Sequence, residues 1–238
     1  MRNEVGDLAA FYETPLGKIA CRYIRRRIRT AWPDARGLAV LGAGYPIPYL
    51  RPFLGEAERV VAMMPASQGV VRWPRDGSDN LVALCEDADL AIPDESIDLV
   101  LLVHALEVSD NARHFLREVW RVVRPSGRIL IVVPNRRGLW APLERTPFGH
   151  GRPFAPRQLQ ALLRESLLTP LNVADCLYTP PLRSRLMLRT APAFERLGGV
   201  GLGVGGVLLA EATKQIYAVS TARRMPVHKR AAVIVPTE

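Results

Sequence analysis

Residues 94–135 constrain the fold most, because two apolar runs flank an amphipathic stretch there. Residues 97–103 form a nearly continuous run of branched apolar side chains, which is typical of a strand buried on both faces. Residues 112–123 carry apolar side chains at helical spacing. A second buried run follows at residues 129–133 and ends at Pro134. A strand, a helix and a second buried strand predict a βαβ unit, and therefore a parallel sheet.

The length and composition favour one α/β domain, either alone or with a small extension, since the chain has 238 residues and 48% of them are apolar. It contains no run of about 20 uncharged apolar residues, so we expect no membrane-spanning helix. We also expect no signal peptide. The cysteines Cys21, Cys85 and Cys176 are far apart and match neither a metal site nor a disulfide framework. This pattern favours a reducing, cytoplasmic location.

The formal net charge is +9, and nearly all of the positive charge comes from arginine. Such a balance indicates either a nucleic acid, an anionic membrane surface, another anionic partner, or a general preference for arginine. The arginines are spread along the whole chain and few aromatic residues lie among them. We therefore favour the general preference, and a nucleic-acid partner is not the favoured prediction.

The central unit also resembles a known family in its motifs. A Pro-Asp-Glu-Ser-Ile-Asp turn at residues 93–98 precedes the first buried run, and His104 follows that run. The helix then has the sequence LREVWRVVRPSG at residues 116–127. Spacing, turn residues and strand order together resemble the second half of a class I S-adenosylmethionine-dependent methyltransferase domain. The resemblance implies a doubly wound, Rossmann-like α/β fold with seven strands, mostly parallel, an antiparallel last strand, and helices on both faces.

Three regions are expected along the chain. Residues 1–34 form a helical lid region, in which Ile19, Tyr23, Ile24, Ile28 and Trp32 are able to share one face. Residues 35–220 form the methyltransferase-like domain. Its sixth strand is expected at residues 173–178, a helix at residues 186–197, and its last strand within residues 207–219. Residues 221–238 form a basic tail that we expect to be flexible.

The loop after the first strand is the expected cofactor loop. Gly42 and Gly44 match the first two glycines of the family motif, and Tyr45 follows them. Val40 stands where the family has an acidic residue, and Pro46 stands at the third glycine. The alternative interpretation of the two glycines is a tight turn between a strand and a helix.

The ends of the second and third strands give further candidates for cofactor contacts. The family usually ends its second strand with an acidic residue for the ribose, whereas this chain has Met63 and Met64. The methionines either pack on the adenine ring or fill the core. Glu86 or Asp87 is the candidate acceptor for the adenine amino group. A solvated acidic turn is the alternative.

The ends of the fourth and fifth strands give the remaining candidates. His104 and Glu107 lie just beyond the fourth strand, where ligands of open α/β sheets bind. His104 either lines the cofactor or acts as a general base. The candidates for contacts with the substrate are Tyr12, Arg136, His150 and Arg152. An alternative role for Arg152 is an ion pair with Glu144 or Asp175.

Two functions are consistent with the sequence. The first is methyl transfer from S-adenosylmethionine to an unidentified acceptor, with a preference for anionic acceptors. The second is a catalytically inactive, methyltransferase-like binding or scaffold protein that acts through a protein partner. No metal constellation is present in the sequence, and His104 is the one catalytic candidate.

Overall fold

The computed structural model describes residues 4–86, 89–182, 184, 188–202 and 204–214. Helices α1 to α6 span Val5–Glu13, Pro15–Ala31, Ile47–Leu50, Ala112–Val122, Pro156–Glu165 and Ala191–Leu197. Strands β1 to β7 span Ala39–Gly44, Arg59–Pro65, Val82–Cys85, Ile97–Val103, Val123–Pro134, Leu168–Cys176 and Val207–Lys214. Short 3-10 turns cover Arg51–Phe53 and Pro147–Gly149, and a π-helical turn covers Gly198–Leu202.

The seven strands form one sheet in the order β3-β2-β1-β4-β5-β7-β6. Strands β1 to β5 pair in parallel, whereas β7 runs antiparallel to both β5 and β6. This arrangement confirms the predicted doubly wound sheet with an antiparallel last strand.

The sheet separates two apolar cores, because successive side chains of a strand point to opposite faces. In β4, Leu99 and Leu101 belong to the first core and Val100 and Leu102 to the second. Helices α1, α2 and α3 cover the first core, while α4 and α5 cover the second. The uninterrupted apolar run of β4 is therefore explained by burial on both sides of the sheet.

The N-terminal region consists of two helices that meet at Thr14. The Thr14 hydroxyl accepts a hydrogen bond from the Gly17 amide at 3.0 Å, and Pro15 is the first residue of α2. A proline is favoured at that position, where its missing N–H has no helical partner. The chain therefore turns between α1 and α2.

The buried face of α2 differs from the prediction. Ile24, Ile28 and Trp32 are buried as expected, but Ile19 and Tyr23 are only partly buried. The buried stripe is completed by Leu16 and Ala20, which lie at four-residue spacing from Ile24 and Ile28.

The predicted start of the sixth strand, at residue 173, is wrong. Strand β6 begins at Leu168, five residues before the prediction, since it pairs with β7 from Leu168 opposite Lys214. Pro170 lies at a register shift of this edge strand, where a missing N–H is tolerated. Helix α6 lies within the helix predicted at residues 186–197; residues 185–187 and the predicted tail at 221–238 lie outside the described residues.

None of the helices within the described ranges is long and apolar enough to cross a membrane.

None of the three cysteines forms a disulfide, and Cys176 is 1% exposed. Burial raises the pKa of Cys176 from 9.0 to about 12. Above pH 9 the unfolded chain loses this thiol proton while the folded chain keeps it. The stabilisation is therefore complete below pH 9 and is lost as the pH rises toward 12.

We expect the free energy of unfolding to fall between pH 8 and pH 10 by about 1 kcal/mol more in the wild type than in Cys176→Ala. Urea unfolding at both pH values measures the difference. Equal losses in the two proteins would contradict the role of the Cys176 thiol.

Candidate functional site

The strand order places a crevice between β1 and β4. These two strands are neighbours in the sheet, yet the chain continues from them in opposite directions. Gly44, the last residue of β1, pairs with Val103, the last residue of β4. The Tyr45 amide donates to the Val103 carbonyl at 2.7 Å. Open α/β sheets bind ligands at such a reversal, beyond the carboxyl ends of the strands.

A buried polar cluster lies at this position. The Tyr12 hydroxyl is 2.7 Å from His104 Nε2 and 2.9 Å from the Tyr49 hydroxyl. On the other side of the imidazole, Nδ1 is 3.2 Å from Glu107 Oε1. We call Tyr12, Tyr49, His104 and Glu107 the Tyr-His-Glu cluster. It joins α1, α3 and the end of β4 through side-chain hydrogen bonds.

Burial sets the protonation of the two tyrosines of the Tyr-His-Glu cluster. Desolvation raises the pKa of Tyr12 and Tyr49 well above the ordinary value, so both hydroxyls keep their protons at neutral pH. When Glu107 is ionised, His104 Nδ1–H donates to it and Nε2 accepts from Tyr12. Glu107 Oε2 is buried and has no hydrogen-bond partner among the described residues. The cluster therefore contains one carboxylate oxygen with a free acceptor site.

Aromatic side chains cover the cluster. The Tyr12 ring stacks on Tyr45 with the centroids 5.9 Å apart. Phe148 packs against His104 at 4.9 Å, Trp140 at 5.5 Å and Phe11 at 6.3 Å. Water is thereby kept away from His104, which is 1% exposed.

Helix α1 lies across the carboxyl ends of the strands. At its start, the Val5 amide donates to the Gln68 carbonyl at 2.8 Å, beyond the end of β2. The Gln68 side chain donates in turn to the His104 carbonyl at 3.0 Å. At its end, Tyr12 contacts the His104 side chain. One short helix therefore bridges the ends of β2 and β4.

The two predicted loop glycines are required by the packing of the chain itself. A Cβ at Gly42 would lie 2.6 Å from Pro46. A Cβ at Gly44 would lie 2.2 Å from the Val103 carbonyl oxygen, and Gly44 has φ +89°. The interpretation as a tight turn is sufficient to explain both residues.

Met63 and Met64 end β2 on opposite sides of the sheet. Met64 belongs to the core below α1 to α3, and Met63 belongs to the core below α4 and α5. Each is 1% exposed. Both side chains therefore serve as core packing in the arrangement described.

One of the two acidic candidates after β3 is at the surface. Glu86 is exposed and forms an isolated antiparallel bridge with Asp89. Asp87 lies outside the described residues.

The loop that contains His150 and Arg152 is attached to the site through its backbone. The Arg152 amide donates to the Glu107 carbonyl at 2.7 Å, and the Arg136 guanidinium donates to the Pro153 carbonyl at 3.1 Å. Arg136 and Arg152 are exposed, and His150 is half-buried. The fold thus brings these three residues together at the rim beside Glu107. Asp175, the alternative partner of Arg152, accepts from the Gly205 amide.

Sequence reasoning missed several residues of the site. Tyr49 and Phe148 were not predicted, and Glu107 was placed beside His104 without a role. Tyr49 lies four residues after Tyr45, so helical spacing was a usable signal. Phe148 reaches the site from a long loop, and no local pattern indicates that contact.

Within the described ranges, no group of three or more His, Cys, Asp or Glu side chains is placed to hold a metal ion.

The known proteins to which this chain is similar are methyltransferases. Residues 40–131 match a family model described as a methyltransferase domain. A probable S-adenosylmethionine-dependent methyltransferase of Mycobacterium tuberculosis is 35% identical over 88 residues, which are 37% of this chain and 31% of that protein. The 27-O-demethylrifamycin SV methyltransferase of Amycolatopsis mediterranei is 34% identical over 118 residues, 46% of this chain and 43% of that protein. The matched regions therefore span less than half of these relatives.

Solved structures agree on the fold. A methyltransferase of Thermotoga maritima, described as a possible histamine N-methyltransferase, superposes with a TM-score of 0.63 at 16% identity and covers 89% of this chain and 96% of that chain. A methyltransferase of Haloferax volcanii, solved in complex with a methyltransferase activator, gives a TM-score of 0.58 at 15% identity, with coverage of 78% and 85%. Residues 40–131 are thus similar to a methyltransferase domain, and the strand order is that of the S-adenosylmethionine-dependent methyltransferases with which the chain superposes.

Proposed function

We propose that this chain transfers a methyl group from S-adenosylmethionine to a small acceptor. The observation that carries the proposal is the position of the matched segment. Residues 40–131 contain β2, β3, β4 and nearly all of β1, and the Tyr-His-Glu cluster lies at the carboxyl end of β4 within this segment. The chain spans about a third of the length of the mycobacterial relatives, so the activity is a proposal for this chain.

The Tyr-His-Glu cluster fits the cationic part of the cofactor. A buried carboxylate with an unused oxygen is costly unless a cation or a donor reaches it. S-adenosylmethionine carries a positive sulfonium and a positive ammonium group. Glu107 would hold one of these groups through Oε2, and would thereby replace the acidic residue that is absent at Val40.

The end of β2 lacks the acidic residue that usually binds the ribose of S-adenosylmethionine. Met63 and Met64 occupy the end of β2 and are buried in the two cores. Among the described residues that end the first three strands, the exposed carboxylate of Glu86 is the one available to the adenosine part. We infer that affinity depends more on the charge near Glu107 than on contacts to the ribose.

The cofactor, when bound, supplies the activated methyl group of its sulfonium. The chain contributes position and proton transfer. Glu107 orients His104 so that Nε2 faces the Tyr12 hydroxyl. An acceptor hydroxyl or amine that takes the place of the Tyr12 hydroxyl would give its proton to Nε2.

The rim at Arg136, His150 and Arg152 is one hypothesis for the approach of the acceptor. Its support is the bond between the Arg152 amide and the Glu107 carbonyl, which places the loop next to the cluster. The Arg136 guanidinium already donates a hydrogen bond to the Pro153 carbonyl. The side chains of His150 and Arg152 lie at the same edge.

We expect Glu107→Gln to weaken binding of S-adenosylmethionine by tenfold or more, since it removes the buried charge and keeps the shape. Isothermal titration calorimetry on the purified protein measures the affinity. S-adenosylhomocysteine lacks the sulfonium charge, so its affinity should fall less if Oε2 faces the sulfonium. Equal losses would assign Oε2 to the ammonium group.

The matched control is Glu165→Gln, which removes an exposed carboxylate that pairs with Arg113 at the surface. It should leave both affinities unchanged. If neither compound binds to the wild-type protein, the proposed function is wrong and the inactive binding protein is the better account.

A further inference from the structure

A cleft with a volume of about 890 Å³ opens between α1, α2, the α3 segment and residues 71–76. This volume is in the range of roughly 300–1,000 Å³ that is typical of small-molecule sites. The cationic side chains that line the cleft are Lys18, Arg22, Arg25, Arg51, Arg72 and Arg75. We call this site the basic cleft.

The basic cleft has a strong positive excess. Six cationic side chains face two acidic ones, Glu13 and Asp76, which leaves an excess of four charges. Glu13 pairs with Lys18 at 3.3 Å, and the Asp76 carboxylate accepts from the Ser78 hydroxyl at 2.6 Å. The acidic groups therefore have partners of their own.

Several arginines of the cleft are available to a ligand. Arg22, Arg51 and Arg75 are exposed, and within the described part of the chain none of them forms an ion pair with a carboxylate. Arginine side chains are suited to phosphate and carboxylate groups because the planar guanidinium donates two parallel hydrogen bonds.

Arg25 supplies a second, independent observation. Its guanidinium donates to the Pro48 carbonyl and to Cys21 Sγ, so the side chain is held in place. Its Nε is buried without a hydrogen-bond partner among the described residues. A buried N–H that lacks a partner is costly. An anion in the basic cleft would provide the missing acceptor.

The other walls of the cleft are flat and apolar. Tyr45 and Trp73 line it, and each is less than 10% exposed. The Trp73 backbone is fixed by bonds with Asn80 and Leu81, at 3.2 and 2.8 Å. The positive field of Arg75 reaches the Tyr45 hydroxyl and partly offsets the rise of its pKa that burial causes. Aromatic and cationic side chains thus lie near each other in the basic cleft.

The basic cleft adjoins the Tyr-His-Glu cluster through a single side chain. Tyr12 lines the cleft, and its hydroxyl is 2.7 Å from His104 Nε2. A ligand in the cleft is therefore separated from His104 by the Tyr12 ring.

We propose that the basic cleft binds a small organic anion, with a phosphate or carboxylate on a flat apolar body, as the methyl acceptor. The assignment as acceptor rests on the proposed function, whereas binding of the anion does not. Of the two basic surfaces, the cleft is the enclosed one with aromatic walls, so it is favoured over the rim at Arg136.

The test uses phenyl phosphate as the probe and calorimetry on the full chain. Inorganic phosphate and phenol test the two halves of the probe separately, and benzoate tests a carboxylate. Phenyl phosphate should bind more tightly than either half, and its affinity should fall as salt is added. Equal affinities for phenyl phosphate and phenol would overturn the proposal.

The variant is Arg51→Gln combined with Arg75→Gln, both at exposed positions. We expect at least a tenfold loss of affinity for phenyl phosphate. The matched control is Arg157→Gln combined with Arg164→Gln, which removes the same charge from exposed positions of α5. Its affinity should stay within twofold of the wild type. A loss in the control but not in the variant would overturn the proposal.

Cys21 gives a local readout because it lines the same cleft and is partly exposed. Phenyl phosphate should slow alkylation of Cys21 by iodoacetamide, measured by mass spectrometry. Unchanged alkylation at a saturating probe concentration would place the probe elsewhere and overturn the proposal.

Two further arms separate the competing explanations. Binding of duplex RNA or of anionic vesicles without binding of phenyl phosphate would overturn the proposal, because the surface would then serve a macromolecule. Binding of S-adenosylmethionine is measured on the same samples. A wild type that binds phenyl phosphate but not S-adenosylmethionine would refute the proposed function and support the anion site.

Discussion

Phe148→Ala is expected to lower the free energy of unfolding by about 3–5 kcal/mol, the typical cost of removing a fully buried phenyl ring. Phe148 is 1% exposed and contacts rings from three separate parts of the chain, namely Phe11, His104 and Trp140. No single neighbour is able to fill the space that the ring leaves. For a chain of this size the melting temperature should fall by about 10 °C.

Phe194→Ala is the matched control for this variant. Phe194 lies in α6 and is only partly buried, so its loss should cost no more than about 1.5 kcal/mol. Chemical unfolding of both variants measures the difference. Similar losses would show that Phe148 does not hold α1 and the end of β4 together.

Gly44→Ala is expected to cost at least about 3 kcal/mol, because two independent effects add. The position has φ +89°, which is unfavourable for any residue with a Cβ. In addition, the new Cβ would lie 2.2 Å from the Val103 carbonyl oxygen, so β1 and β4 would have to separate. The loss of stability should therefore accompany any loss of ligand binding.

Two other glycines allow the cost of the positive φ and the cost of the clash to be measured separately. Gly37 has φ +70° with nothing within 4 Å of a Cβ, so Gly37→Ala should cost about 1 kcal/mol. Gly55 has open space and no positive φ, and Gly55→Ala should change stability by less than about 0.5 kcal/mol. Urea unfolding of the three variants gives the series. Equal values for the Gly37 and Gly44 variants would contradict the proposed clash.

The central part of the fold was accessible from the sequence because its signals are local. The predicted first run coincides with β4 at Ile97–Val103, and the predicted helix coincides with α4 within one residue. Burial on both faces leaves an uninterrupted apolar run, and a helix packed on one face leaves a 3.6-residue period. Strand β6 was predicted poorly since it is an edge strand with polar residues and Pro170.

The site was less accessible because its contacts join distant parts of the chain. Tyr12 and His104 are 92 positions apart, and their hydrogen bond depends on how α1 lies across the sheet. Position at a strand end indicated His104 as a candidate for a ligand contact. It was not enough to separate ligand contacts from packing, as Met63 and Met64 illustrate: adjacent residues of one strand enter different cores.

The position of β7 has a consequence for synthesis on the ribosome. Strand β7 lies between β5 and β6 in the sheet and pairs with both. It is nevertheless synthesised after both of them. Until β7 emerges, the nascent chain exposes the edge of β5 and an unpaired β6. Exposed edges of this kind favour association between chains. Completion of the sheet therefore waits for the last strand, and translation speed over residues 168–214 should influence the yield of folded protein.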